Sequence, residues 1–167
     1  HSVNTDDPEA VAEATEYLLA QKDKVSAFTY DTQALIASGD IAAGHFFVGV
    51  NILVKERPDE LGYVIPSEGS DLWVDTMVIT AASENKEAAH AFINYVLQPE
   101  VIAEVTNYVF YANPNAASVE LVDVEIIEDP SIYPPDDVKA KLFPDLVKSP
   151  KYDRLVTRAW TRFKTGQ

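Results

Sequence analysis

The chain reads as an α/β protein, and three observations carry that reading. Short apolar runs of strand length alternate with stretches of helical periodicity. Helix borders are marked by Asp7-Pro8, Gly39 and Gln98-Pro99. At 167 residues and 47% hydrophobic content, the chain suffices for one ordinary domain with a sizeable core.

Asp7 followed by Pro8 is an N-cap with proline at the first helical position. Val11, Ala14, Thr15, Leu18 and Leu19 then keep helical spacing, which predicts an amphipathic helix over 8–22. Val25–Phe28 reads as a short strand, and Thr32–Ser38 as a short helix stopped by Gly39. Ile41–Val50 is apolar with little alternation, the pattern of a strand buried on both faces. A short helix over Asn51–Arg57 ends at Pro58. Leu61–Ile65 and Trp73–Thr80 follow as strands around the turn Pro66-Ser-Glu-Gly69. Ser83 or Asn85 caps the next helix, whose apolar face would be Ala88, Ala91, Phe92, Tyr95 and Val96. After Gln98-Pro99 comes a helix carrying Ile102, Val105 and Val109, then a turn at Tyr111–Asn115. A proline- and acid-rich loop covers Ile126–Pro135, with a short helix at Asp136–Leu142. The closing helix, Pro150–Lys164, would bury Tyr152, Val156, Ala159, Trp160 and Phe163.

Charge narrows the possible partners. With 27 acidic and 13 basic side chains, the net charge is −14, the opposite of the cationic footprint nucleic acid requires. A cationic small ligand would be steered by such a field, although acidic surfaces also serve solubility alone. No apolar run is long enough to span a membrane, so no membrane insertion is expected. The absence of cysteine excludes disulfides, thiolate metal sites and cysteine nucleophiles. His1, His45 and His90 have no metal-ligand spacing, and no phosphate loop or nucleophile elbow is present, so neither metal nor cofactor is expected. Six of the thirteen basic residues lie in the last twenty positions, where Arg154, Arg158 and Arg162 form one helical stripe. That stripe reads as a solvated face or one docked on the acidic body.

The most specific chemistry lies in Glu68-Gly-Ser-Asp-Leu-Trp73-Val-Asp75. Side chains two apart in a strand share a face, so Trp73 and Asp75 would line one wall. An indole face beside a carboxylate is suited to an organic cation: the ring attracts it through its quadrupole, and the acid pairs with it.

Several segments, in order, resemble a known family. They are Gly39-Asp-Ile41, Phe47-Val-Gly49, Ile65-Pro-Ser-Glu-Gly69, Trp73-Val-Asp75, Asn85-Lys-Glu87, Val109-Phe-Tyr-Ala-Asn113, Ile132–Phe143 and Thr157-Arg-Ala-Trp-Thr161. Together they resemble the C-terminal half of the putrescine/spermidine-binding proteins of bacterial polyamine ABC importers, with the putrescine-binding branch nearest. The resemblance implies a type II periplasmic-binding-protein-like fold of two lobes, of which this chain is about half, and a periplasmic location. Residues 1–70 would then belong to the second lobe, 71–75 to the hinge crossover, 76–118 to a segment packing with the first lobe, and 119–167 to the return. The N-terminal half would precede His1. Implied partners are a polyamine, the ABC permease subunits and that missing half.

By the same resemblance four residues would hold ligand. Asp75 matches the aspartate that pairs with a ligand ammonium, against the alternative of a strand-end acid satisfied by backbone N–H groups. Trp73 matches an aromatic packed on the methylene chain, or else is core. Phe47 stands where the family generally has tryptophan, and site and core are both open to it. Tyr111 matches a tyrosine facing the ligand, or anchors the Asn113-Pro114 turn. Val50 departs from the pattern, since the putrescine-binding branch has aspartate there. The expected function is therefore capture of a polyamine-like cation without catalysis. The alternatives are a receptor for another cationic solute such as an amino acid, and a hydrolase pairing Asp75 with a second carboxylate, for which no partner of recognisable spacing is present.

Overall fold

The computed structural model describes residues 2–166; His1 lies outside the described residues. The chain forms two compact units, one of His1–Gly44 with Asp145–Gln167 and the other of His45–Pro144.

In the first unit, helix α1 (Pro8–Leu19) begins as the sequence predicts, with the Asp7 carboxylate accepting from the Glu9 N–H at 3.0 Å. It ends short of the predicted residue 22, because Lys22 belongs to a separate 3-10 turn, Lys22–Lys24. From there the ammonium of Lys22 donates to the carbonyls of Phe163 (2.7 Å) and Lys164 (2.5 Å). These are last-turn carbonyls of α8 (Pro150–Thr165), groups with no acceptor role inside their own helix and a partial negative charge. Helix α2 (Thr32–Ser38) stops at Gly39 with φ 79°, and α8 stops at Gly166 with φ 77°. Helices α1 and α8 pack together, tied by Arg162 to Glu16 at 2.5 Å. Phe28 meets Trp160 and Phe163 edge-on, both at 5.3 Å between ring centroids.

The inner stripe of α8 differs from the expected one. Tyr152, Leu155, Ala159 and Phe163 turn inward, whereas Val156 and Trp160 are 36% and 46% exposed. Both sets have helical spacing; Leu155 wins over Val156 because it shares a face with Phe163, the one fully enclosed side chain of the helix. Arg154 and Arg158 are solvated, and Arg162 is docked on the acid of α1.

The second unit contains α3 (Asn51–Glu56), β1 (Ser70–Asp71), α4 (Lys86–Val96), α5 (Pro99–Val109), α6 (Val124–Ile127), α7 (Asp136–Lys139) and β2 (Leu142–Phe143). Its core is Ala103, Val122, Ile126 and Ile132, with Val48, Phe110, Ile127 and Tyr133 against it. Strands β1 and β2 pair in parallel, Ser70 opposite Leu142 and Asp71 opposite Phe143. Gly69 permits this close approach: at φ +114°, any Cβ there would lie 2.4 Å from the Lys141 carbonyl oxygen.

Four expected strands are corrected. Val25–Phe28, Ile41–Val50, Leu61–Ile65 and Trp73–Thr80 join no ladder among the described residues. Ile41–Val50 ends instead in a 3-10 turn, Val48–Val50, leading into α3. An apolar run reports a tendency to be covered, whereas a strand also needs a neighbour for its N–H and C=O groups. Here Val64, Val74 and Val78 remain 78%, 69% and 78% exposed. The short helix expected at Asp136–Leu142 ends at Lys139, with Leu142 in β2, and the loop expected from Ile126 begins inside α6. On α4, Ala89, Ile93 and Val96 face inward, so Ala88, Ala91, Phe92 and Tyr95 of the expected face are exposed. Ser83 accepts from the Asn85 N–H at 3.2 Å, while Asn85 occupies the cap position without a side-chain bond.

Phe163→Ala is expected to destabilise the chain by about 3 kcal/mol, and Arg154→Ala by less than about 0.5 kcal/mol. Urea unfolding of the two variants measures the difference; equal midpoints would remove Phe163 from the packed centre of the first unit.

Candidate ligand site

The short ladder positions the central pair. Beyond β1 the Leu72 N–H still donates to the Phe143 carbonyl at 2.8 Å, and there the pairing stops. Trp73 and Asp75 project from the end of this anchored segment. The Trp73 indole Nε1–H donates to Asp75 Oδ1 at 2.9 Å, so the two side chains share a side as their spacing predicts. Both are exposed, Trp73 at 61%. Among the described residues Asp75 has no ion pair with lysine or arginine, and its second oxygen is left for another donor.

Phe47 extends the aromatic surface. Its backbone is extended (φ −75°, ψ 157°) just before the Val48–Val50 turn. Its ring lies 6.3 Å from that of Trp73 at an interplanar angle of 64°, and 5.9 Å from Phe46. Two residues on, Gly49 is buried beneath Tyr111: a Cβ on Gly49 would come within 2.5 Å of Tyr111 Cε2 and 2.8 Å of its hydroxyl. Contacts thus run from Asp75 through Trp73 and Phe47 to the chain segment that carries Tyr111, all within the second unit.

Tyr111 is 40% exposed. The turn after it is held by Asn113, whose Nδ2 donates to Thr106 Oγ1 at 2.9 Å and whose Oδ1 accepts from the Asn115 N–H at 2.9 Å and the Ser118 hydroxyl at 3.0 Å. Thr106 and Ser118 are almost fully buried, which makes this polar cluster a firm anchor. These bonds do not involve Tyr111.

Sequence reading missed Tyr63. Half-buried, it donates its hydroxyl to the Phe46 carbonyl at 3.5 Å, and burial raises its pKa above the ordinary 10.0, with Tyr111 adding to the shift. Nothing in Leu61–Ile65 distinguishes it from a packing aromatic. Val50 is 6% exposed and supplies no polar atom. Next to it, buried Asn51 spends its amide on Ser131 Oγ at 2.6 Å. His45 and His90 are both exposed, and no group of three His, Cys, Asp or Glu among the described residues is disposed to hold a metal ion. No helix among them is long and apolar enough to cross a membrane.

Comparison with known proteins agrees with this architecture. The chain is 39% identical to the putrescine-binding periplasmic protein PotF of Escherichia coli over 92% of its own length and 44% of the relative's. It is 36% identical to the putrescine-binding periplasmic protein SpuD of Pseudomonas aeruginosa, over 98% of itself and 47% of that protein. The crystal structure of a spermidine/putrescine ABC transporter substrate-binding protein from Streptococcus pneumoniae superposes with a TM-score of 0.85 at 30% identity, covering 99% of this chain and 51% of that one. The fold is thus the mixed α/β fold of periplasmic binding proteins, and the chain spans about half the length of the curated relatives it matches. The model of the bacterial extracellular solute-binding proteins matches residues 2–134, and the chain belongs to that family.

Proposed function

We propose that the chain is part of the solute-capturing component of an ABC importer, and that its solute is a polyamine-like cation. The observation that carries this reading is the exposed Trp73–Asp75 pair, an acid held by an indole and paired with no protein cation among the described residues. Asp75 accepts from a ligand ammonium through its free oxygen, Trp73 and Phe47 pack on the methylene chain, and Tyr111 closes the wall. The names of the relatives, which are putrescine- and spermidine-binding proteins, support the same ligand class.

Magnitudes require more than one contact. Two unit charges 4 Å apart gain about 4 kcal/mol at an effective dielectric of 20, before desolvation. Micromolar affinity needs about 8 kcal/mol. The aromatic wall and the remainder of a two-lobed receptor supply the difference, with residues 71–75 as the crossover and 76–118 packing with the other lobe. Capture proceeds by closure of the lobes around the cation in the periplasm, and the permease reads the closed form. No bond is made or broken.

Calorimetry of the full-length receptor with putrescine, spermidine, spermine and a cationic amino acid tests the reading. Asp75→Asn is expected to weaken amine binding by about tenfold or more, ~1.4 kcal/mol; unchanged affinity would remove Asp75 from the site. Trp73→Ala should lower affinity while the circular dichroism spectrum stays the same. The 167-residue chain alone is expected to bind these amines weaker than about millimolar, since it provides only part of the wall, and tight binding by the verified chain would contradict the two-lobed arrangement.

Tyr63 gives a pH test of the wall. Its phenol keeps its proton to a higher pH in the folded chain than in the unfolded one, so its contribution to stability is complete below pH 10 and is lost as pH rises through the raised value. Tyr63→Phe should flatten the alkaline fall in stability; an identical alkaline profile would show that Tyr63 is not enclosed beside Tyr111.

A further inference from the structure

We infer that Gly49 is a positioning residue for ligand binding, a bare patch of backbone on which the Tyr111 ring is seated. The inference rests on the proposed role of Tyr111 in the wall and adds the element that sets its height. Two ring atoms of Tyr111 (Cε2 and Cζ) and its hydroxyl oxygen lie 2.5, 2.9 and 2.8 Å from where a Gly49 Cβ would be. Any other residue at 49 therefore pushes the ring outward, because the atoms it meets are part of a rigid aromatic plane.

The backbone itself makes no demand for glycine. Gly39, Gly69 and Gly166 are the glycines with positive φ among the described residues, and Gly49 is not one of them. It sits within the Val48–Val50 turn, where alanine would be comfortable. The requirement is spatial, and the three nearest atoms all belong to one partner, Tyr111. Backbone movement there is restrained on one side, since the turn after Tyr111 is anchored to the buried Thr106 and Ser118 through Asn113. Two residues before Gly49 stands Phe47, in ring contact with Trp73, so the seat fixes the distance from the Tyr111 ring to the rest of the aromatic wall.

A double-mutant cycle in the full-length receptor tests this, with putrescine as the probe. Gly49→Ala should weaken binding roughly tenfold when Tyr111 is present, and by less than about twofold in a Tyr111→Ala background. Equal losses in the two backgrounds, or no loss in the first, would overturn the inference. A second measurement needs no ligand. With isotope-labelled glycine, the Gly49 Hα resonances should carry a ring-current shift that Tyr111→Ala removes; resonances that stay in place would equally overturn it. A receptor that shows this shift yet binds no amine would keep the seat and refute the polyamine reading.

Discussion

The hydrogen bond from the Trp73 indole to the Asp75 carboxylate orders the candidate site. Among the described residues Trp73–Thr80 joins no ladder, so the local direction of these side chains depends on their contact with each other and on the Phe47 ring beside Trp73. A bond from a neutral donor to a charged acceptor contributes about 1.5–3 kcal/mol when sheltered, and less where water competes. It nevertheless does something an arginine partner could not. It orients the acid without neutralising it, leaving a full negative charge at an aromatic edge.

From that bond the contacts lead inward toward firmer material. Trp73 meets Phe47, Phe47 precedes the turn that holds buried Gly49 beneath Tyr111, and the turn after Tyr111 is tied to α5 through Asn113. The exposed edge of the candidate site thus rests on few contacts, while its inner end adjoins buried, hydrogen-bonded residues. The segment 76–118 carries apolar side chains with little cover, among them Met77, Val78, Phe92, Tyr95 and Tyr108. The proposed packing of 76–118 with another lobe would give this surface its partner.

Helices were largely legible in the sequence because their borders are written in local chemistry. Asp7-Pro8, Gly39 and Gln98-Pro99 each satisfy or stop a helix end without help from distant residues. Strands were not, because the ladder over Ile41–Val50 or Trp73–Thr80 would need partner residues that no local pattern reveals. Faces failed for a related reason. On α4 two adjacent stripes are apolar, and only packing selects Ile93 over Phe92. Within the candidate site, the shared side of Trp73 and Asp75 was legible from a two-residue spacing. Tyr63 was hidden because its neighbours Phe46 and Tyr111 are distant in sequence, seventeen and forty-eight positions away by their numbers. The glycine beneath Tyr111 carried no signal of its kind, since a missing side chain has meaning only once its neighbour is known.

At the end of α5, Phe110 adopts φ 59° and ψ 34°, a left-handed conformation that glycine usually occupies. For a bulky residue this costs roughly 1–2 kcal/mol. Its ring packs on the core and lies 4.4 Å beneath the Lys55 ammonium, contacts that glycine would forfeit. The backbone is thereby turned sharply one residue before Tyr111 and clamped in that bend by an aromatic plug. A tensioned corner of this kind ties the aim of the proposed wall to the integrity of the hydrophobic interior, so that loosening the interior would misdirect Tyr111 before it unfolded the protein.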